Sequence, residues 1–277
     1  MASWQSNPLQ GDHDDMLASL ERSAPVRLMA TMADLEVARA NEPVGEALRR
    51  ANAQRFDFLP VRKGPDGPII GLFSRVNMDR DTAASVEQVM RPLGSDILIS
   101  ADAPLLDFIY SADTNPCRLV LDRSGVNGLV TLSDIQRLPV RTVLFSLFIH
   151  LELLLTEALR AKLGPEKLPF EFLSENRAQD ARKRWEDATQ SGMDRESLNS
   201  LLFADKKTVA EKQRLFGLSR TKINSDLGQI EEHLRNPIAH GADFLRTDED
   251  ATKLVSAARL VREWIQRARA DMPVRAT

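Results

Sequence analysis

One seven-residue pattern occurs twice in the first half of the chain, at residues 71–77 and 128–134. The first copy reads Gly-Leu-Phe-Ser-Arg-Val-Asn and the second reads Gly-Leu-Val-Thr-Leu-Ser-Asp. Both copies end the same predicted series of elements: a strand, a helix opened by a proline, a strand, a tight turn and a returning strand. An internal repeat restricts the architecture strongly, and two β-α-β-β-α units stacked about a pseudo-twofold axis are the expected result.

The strands of the two copies are predicted from short apolar runs that are bounded by turn residues. In chain order they are 35–38, 58–61 and 69–73, then 97–99, 118–121 and 126–130. Pro43 opens the helix of the first copy and Pro104 opens that of the second, as proline suits a helix start. Because the two copies share this order, we expect one domain made of both.

This repeat resembles a pair of CBS domains, most clearly at residues 128–135, which carry the sequence that ends each domain of that family. The resemblance implies a regulatory site for an adenine nucleotide such as AMP, ADP or ATP. It implies that Thr131 faces the phosphates and that Asp134 accepts the ribose hydroxyls, with Gly128 and Ser133 in the same site. The chemistry fits, because a carboxylate accepts both ribose hydroxyls and a hydroxyl beside helix-start N–H groups suits phosphate.

The first copy departs from this pattern at three positions. Ser74 stands in place of threonine, Asn77 in place of aspartate, and Arg75 adds a charge. Asparagine can bond a ribose, but less strongly than a charged acceptor. We therefore expect one good nucleotide site, in the second copy, and one weak or empty site.

A purely structural interpretation of the second copy stays open. In it, Thr131 ends a strand and Ser133 or Asp134 caps the following helix, without any ligand. The domain pair would then serve only for dimerisation or as a scaffold.

After Pro139 the pattern becomes helical. Residues 140–162 are apolar on nearly every side, which indicates a helix at the centre of a bundle or in an interface, and we interpret His150 within it as a buried histidine rather than a catalyst. Further helices are predicted at 178–189, 197–216, 219–235 and from 247 onward. The expected fold class is α+β, with a tail at 1–22, the CBS-like pair at 23–138 and a helical-bundle domain at 139–277.

The helical half contains the sequence Arg235-Asn236-Pro237-Ile238-Ala239-His240. Proline disfavours α geometry in the preceding residue, so a helix should end near residue 234 or 235 and a new turn should begin at Pro237. On a straight helix, residues five apart point about 140° away from each other. The break at Asn236 would free Arg235 and His240 to face a common point.

An arginine and a histidine at one point suit the cleavage of RNA without a metal. The imidazole, with an unperturbed pKa of about 6.5, carries protons at neutral pH. The guanidinium stabilises the charged phosphorane. The string resembles the Arg-x4-6-His motif of the HEPN superfamily, whose domains are helical bundles. That resemblance implies catalytic roles for Arg235, Asn236 and His240 at an active site that two copies of the chain build together.

Composition limits the other possibilities. The net charge of −3 gives no overall basic field, so an RNA contact must be local, and we expect no DNA partner. Cys117 is the single cysteine, which excludes an internal disulfide and a cysteine-rich zinc site. The most apolar stretch, 143–155, is shorter than the roughly 20 residues that span a bilayer. The N-terminus shows no signal-peptide pattern. We therefore expect a cytoplasmic protein without a membrane segment.

The sequence thus predicts a cytoplasmic homodimer that senses an adenine nucleotide and cleaves RNA without a metal or other catalytic cofactor, as a stress or defence effector of the toxin type. Two alternatives remain. The helical domain could be a non-catalytic module that binds protein or RNA under control of the CBS-like pair, or the whole chain could be a structural dimer with an empty pair.

Overall fold

The computed structural model describes residues 19, 22–76, 82–191, 196–239 and 245–271. The chain divides into two compact units, a β/α unit at 21–140 and a helical unit from 141 onward. The sequence placed this boundary after residue 138. The fold class is mixed α+β, with strands confined to the first unit among the described residues.

The β/α unit contains the two predicted copies in order. The elements of the first copy are β1 (Ala38–Arg39), α1 (Val44–Gln54), β2 (Phe58–Arg62), β3 (Ile69–Ser74), α2 (Val86–Val89) and β4 (Arg91–Pro92). Those of the second copy are β5 (Leu98–Ser100), α3 (Leu105–Ile109), β6 (Cys117–Asp122), β7 (Gly125–Thr131) and a 3-10 turn at Leu132–Gln136.

The two sheets have matching topology. One has the order β1-β2-β3-β4 and the other β5-β6-β7. In each copy the first strand pairs in parallel with the second, and the second pairs with the third as an antiparallel hairpin. The predicted strand–helix–strand–strand order is therefore confirmed. The first strand begins at Ala38 instead of residue 35, which corrects the predicted bounds.

A segment that sequence reasoning left unassigned completes the second copy. Residues Val26–Leu28 form a 3-10 turn, and Thr31 then bridges Leu129 of β7, as Arg91 of β4 pairs with Leu72 of β3. The N-terminal segment thus supplies a helical turn and an edge pairing to the second copy, as α2 and β4 supply them to the first.

The two signature glycines allow these close approaches. A Cβ at Gly71 would lie 2.5 Å from the Arg91 carbonyl oxygen. At Gly128 it would lie 2.5 Å from Met32 Sδ and 3.1 Å from the Thr31 carbonyl oxygen. Both positions therefore need glycine for packing, because any side chain would push the neighbouring segment away.

Side chains from both copies share one core. Ile69 and Leu72 of the first copy pack with Ile97, Cys117 and Leu119 of the second. Burial raises the pKa of the Cys117 thiol well above its usual range. The cysteine is therefore a small buried residue in an apolar core and is not suited to act as a nucleophile.

The helical unit is built from five longer helices and one short one among its described residues. They are α4 (Leu138–Leu163), which begins in the β/α unit, then α5 (Glu175–Gln190), α6 (Phe203–Gln213), α7 (Arg220–Ile230), α8 (Asn236–Ala239) and α9 (Asp248–Asp271). The helix predicted at 197–216 is interrupted, since Leu201 and Leu202 are extended and the Leu202 N–H is capped by Asp205 Oδ2 at 3.0 Å.

Helix α4 is longer than its apolar stretch suggested. It has 26 residues, and by length and composition it could cross a membrane. Half of its most apolar 18-residue stretch is nevertheless buried inside the structure. The core helix of a water-soluble protein meets the same criterion. His150 within it is buried, in agreement with the prediction, and Arg269 of α9 lies 3.5 Å from its Nε2.

Buried polar contacts join the helices that lead to residues 235–240, which we call the Arg235 motif. The Trp264 indole N–H donates to Asp226 Oδ2 at 3.1 Å, which connects α9 to α7, and Lys222 Nζ donates to Asp226 Oδ1 at 2.9 Å. Ser219 caps the start of α7 by accepting a hydrogen bond from the Lys222 backbone N–H. These contacts fix the direction from which the chain enters the motif.

Candidate functional site

The end of β7 brings three of the four predicted nucleotide-binding residues together. Thr131 caps the 3-10 turn, and its N–H and hydroxyl donate to Asp134 Oδ2 at 2.7 and 3.1 Å. The hydroxyl oxygens of Thr131 and Ser133 lie 2.8 Å apart. This is a capping box, so the geometry of the purely structural interpretation is present. Ligand binding by these residues stays a prediction.

Two further residues join this group that the sequence reasoning missed. Arg137 Nη2 lies 2.8 Å from Asp134 Oδ1 and donates to the Thr31 hydroxyl at 2.9 Å. Arg137 Nη1 donates to the Ala30 carbonyl at 3.1 Å. The position of Arg137, three residues after Asp134 in a helical turn, was a local signal for the ion pair. The contact with Thr31 had none, because it joins residues more than one hundred positions apart.

We call Thr31, Thr131, Ser133, Asp134 and Arg137 the Thr131 cluster. Burial raises the pKa of Asp134, and its hydrogen bonds to Thr131 and its ion pair with Arg137 offset that rise only in part. The Asp134 side chain is 9% exposed and that of Arg137 is 43% exposed. The carboxylate is thus held inside the turn, while the guanidinium and the Ser133 hydroxyl face solvent.

Hydrogen-bond capacity shows what the cluster could still accept. A carboxylate has about four lone-pair sites. Oδ2 of Asp134 already receives two donors from Thr131, whereas among the described residues Oδ1 receives only Arg137. Oδ1 therefore has lone-pair capacity for one more donor, such as a ribose hydroxyl. The Arg137 and Ser133 side chains are exposed, so both can donate to an anion without uncovering a buried group.

The fourth predicted residue, Gly128, lies within β7 and outside the cluster. Its missing side chain lets Thr31 approach the strand, as the distances above show. Gly128 therefore lets Thr31 approach β7, and its part in ligand binding stays a prediction.

In the corresponding turn of the first copy, Arg75 contacts residues of the same copy. Arg75 forms an ion pair with Asp57 and donates to Asn52 Oδ1 at 3.2 Å. The Ser74 hydroxyl accepts the Val76 N–H at 3.2 Å. Asn77 lies outside the described residues, so the expected weak or empty site stays a prediction.

The chain reaches the Arg235 motif through a π-helical turn. The turn spans Glu231–Arg235, and the Asn236 N–H donates to the Glu231 carbonyl, five residues back. Asn236 has φ −65° and ψ −48°, which is helical, so the predicted break at Asn236 was wrong. A proline ring clashes with the carbonyl four residues earlier in an α-helix. The wider π turn relieves that conflict, and the chain continues directly into α8.

The π turn presents Arg235 to solvent. Its Nη1 donates to Asn236 Oδ1 at 2.9 Å, and the neighbouring Leu234 and Ile238 are buried. His240 lies outside the described residues. The structure therefore brings Arg235 and Asn236 together, while the meeting of Arg235 with His240 stays a prediction that has lost the helix break it relied on.

No group of three or more histidine, cysteine, aspartate or glutamate side chains that could hold a metal ion occurs in the part of the chain that the structure describes.

Comparison with known proteins gives likenesses of fold. No family model matches the sequence, and no curated protein does. Among solved structures, a conserved CBS domain protein of unknown function from Thermoplasma acidophilum is 20% identical with a TM-score of 0.34, over 44% of this chain and 75% of that one.

Two further solved structures show the same kind of likeness. The CBS domain of the bacterial CNNM/CorC family Mg²⁺ transporter, in complex with ATP, is 18% identical with a TM-score of 0.35, over 45% of this chain and 92% of that one. The CBS domains of a transcriptional regulator from Streptococcus pneumoniae are 16% identical with a TM-score of 0.35, over 40% of this chain and 95% of that one. At these identities no ligand or partner is carried over to this chain.

Proposed function

We propose that the β/α unit is a regulatory module that binds an adenine nucleotide at the Thr131 cluster. The observation that supports this most is the grouping of one guanidinium and three hydroxyls around a single buried carboxylate. A nucleotide's sugar and phosphate need these groups, because phosphate takes cationic and hydroxyl donors and ribose takes a carboxylate acceptor.

Three residues of the cluster contact the nucleotide in this proposal. Asp134 Oδ1 accepts a ribose hydroxyl at its open lone pair. Arg137 and Ser133 donate to phosphate oxygens, since both side chains are exposed. The preference for adenine comes from the resemblance to CBS domains, and the cluster itself selects only the sugar and phosphate.

Arg137 also provides a route for regulation. It is the last residue before α4, the helix that runs into the helical unit. A phosphate that draws the guanidinium away from Asp134 and Thr31 changes the contacts that hold the start of α4. The bound and free states of the β/α unit would then differ at the helix that leads into the helical unit, which is what coupling of two sites requires.

Isothermal titration of AMP, ADP and ATP tests the binding site. We expect at least one nucleotide to bind the wild type and to bind Arg137→Gln at least about tenfold more weakly, through loss of a charged hydrogen bond. Arg49→Gln is the matched control, because Arg49 is 77% exposed and lies outside the cluster. No binding to the wild type, or equal binding to both variants, would remove the proposal.

We propose a second function for the helical unit, a metal-independent endoribonuclease that uses Arg235, Asn236 and His240. The observation that favours it is the exposed Arg235 guanidinium, oriented by Asn236 at a π turn, since such turns are frequent at functional sites. His240 would take the proton of a ribose 2′-hydroxyl as that oxygen attacks the phosphorus, and Arg235 would stabilise the phosphorane. The imidazolium would return the proton to the 5′-oxygen as its bond to phosphorus breaks, which leaves a 2′,3′-cyclic phosphate and a 5′-hydroxyl.

This second function requires a homodimer, in which the second copy completes the active site. Its setting would be the cytoplasm, where RNA and adenine nucleotides occur together, and its role that of a stress or defence effector. The rival is a helical unit that binds RNA or protein, or only dimerises, without catalysis.

Single-stranded RNA incubated in EDTA distinguishes the two. We expect the wild type to cleave and to leave cyclic phosphate ends, seen by mass spectrometry, and Arg235→Ala and His240→Ala to lose at least about a hundredfold in rate. Arg220→Ala, an exposed arginine at the start of α7, is the control and should keep full activity. Equal cleavage by all four proteins, or none by the wild type, favours the non-catalytic rival.

A further inference from the structure

A separate cavity of about 450 Å³ lies in the β/α unit. It is formed by the loop before β1, the facing ends of β2 and β3, the end of β6 and the start of β7. No residue of the Thr131 cluster lines it. Its volume falls in the range of small-molecule sites, roughly 300–1,000 Å³. The residues on which the inference rests are Met32, Asp34, Arg62, Ile69, Val126 and Asn127.

Arg62 supplies an unsatisfied cationic donor to this cavity. Its Nε is buried without a hydrogen-bond partner, and its side chain makes one hydrogen bond among the described residues, a long one from Nη1 to the Pro65 carbonyl at 3.4 Å. Arg75 and Arg118 also bury an unpartnered Nε, but their terminal nitrogens make shorter bonds and neither residue lines the cavity. No carboxylate pairs with the Arg62 guanidinium in the described part of the chain, so its terminal nitrogens are suited to an anionic ligand.

Asp34 supplies an open carboxylate to the same cavity. Within the described part of the chain it makes no hydrogen bond or ion pair, Arg62 included. Its φ of 53° lies in the left-handed region, which side chains other than those of Asn and Asp rarely adopt. The other carboxylate of the cavity, Asp122, keeps its negative charge, but its Oδ1 already accepts from three neutral donors: the Ser124 N–H, the Ser124 hydroxyl and the Asn127 amide.

The cavity therefore has a cation and an anion that do not neutralise each other, beside an apolar wall of Met32, Ile69 and Val126. A ligand that satisfies both charges must carry an anion and a cation itself, together with an aliphatic part. A nucleotide fits poorly, because its phosphates would face two carboxylates and only one guanidinium. We infer that this cavity binds a free α-amino acid, with Arg62 on its carboxylate, Asp34 on its ammonium group and the apolar wall on an aliphatic side chain.

The experiment uses the full chain and isothermal titration of L-valine, L-leucine, L-isoleucine and L-methionine. For leucine, 3-methylbutylamine and 4-methylpentanoate serve as probes that lack the carboxylate and the ammonium group. We expect at least one of the four amino acids to bind. We expect either half-charged probe to bind at least about tenfold more weakly than leucine.

The variants are Asp34→Asn, which keeps the tolerance for a left-handed backbone, and Arg62→Gln. Each should weaken amino-acid binding at least about tenfold, whereas the neighbouring exposed changes Asp66→Asn and Lys63→Gln should leave it unchanged. Nucleotide binding at the Thr131 cluster should survive all four changes. The inference is overturned if no amino acid binds the wild type, if the half-charged probes bind as tightly as leucine, or if Asp34→Asn and Arg62→Gln bind like their controls.

Discussion

Replacement of Arg137 by glutamine should loosen the attachment of the N-terminal segment to β7. The change removes an ion pair at 2.8 Å to Asp134 and hydrogen bonds at 3.1 and 2.9 Å to Ala30 and Thr31. A net hydrogen bond contributes about 0.5–1.5 kcal/mol. Because the Arg137 side chain is 43% exposed, the lower half of that range applies to each contact. The expected loss for the three together is about 2 kcal/mol.

Amide hydrogen exchange measures this loss where it acts. The Thr31 N–H donates to the Leu129 carbonyl at 2.8 Å, and the Leu129 N–H donates back to Thr31 at 2.9 Å. If Arg137 holds this bridge, a loss of about 2 kcal/mol speeds exchange of both amides about thirtyfold. The Tyr110 amide of the same unit, bonded to the Leu106 carbonyl at 2.8 Å, reports whether the whole unit has been destabilised.

Arg49→Gln is the control for this measurement, since its side chain is 77% exposed and its nearest carboxylate oxygen is 3.9 Å away. It should change the free energy of opening at the Thr31–Leu129 bridge by no more than about 0.5 kcal/mol. Unchanged exchange of the Thr31 and Leu129 amides in Arg137→Gln would refute the reasoning, because the bridge would then be held without the guanidinium.

Three further outcomes are expected from the same structure. Gly71→Ala should lower the free energy of unfolding by about 2 kcal/mol in urea titrations, because its Cβ would lie 2.5 Å from a backbone oxygen, and Gly45→Ala, whose nearest contact would be 3.4 Å, should cost less. The thiol of Cys117 should react with a disulfide reagent only on unfolding, since it is buried and its pKa is raised; fast labelling of native protein would contradict this. The raised pKa of Asp134 means that the folded state holds its proton more tightly than the unfolded state, so this residue's contribution to stability is lost as pH rises from about 4 through the folded pKa. Asp134→Asn should remove this dependence of the free energy of unfolding on pH. An unchanged dependence would show that another group is responsible.

The repeat made the β/α unit predictable because its cues are local. Proline at a helix start, the glycine-containing turns and the short apolar runs each act over a few residues, and the strand order follows from them. The first strand was misplaced because a distant side chain intervenes. Arg50 donates to the Val37 carbonyl at 3.0 Å and pairs with Glu36, so strand pairing begins only at Ala38.

The candidate site was predictable to the same extent. Thr131 and Asp134 are three residues apart, and a turn of any helical kind brings them together. The contribution of Thr31 depends on the fold, since only the bridge to Leu129 places it there. At Asn236 the local rule for residues before proline gave the wrong answer, because a chain can keep its helical direction by widening one turn instead of breaking.

The central claim is that the open lone pair of Asp134 accepts a ribose hydroxyl, and titration of AMP against its 2′,3′-dideoxy analogue tests it most directly. The account predicts that the wild type binds AMP at least about tenfold more tightly than the analogue, and that Asp134→Asn narrows this difference. Equal affinity of the wild type for the two ligands would contradict the claim, because the carboxylate would then have no part in recognising the sugar.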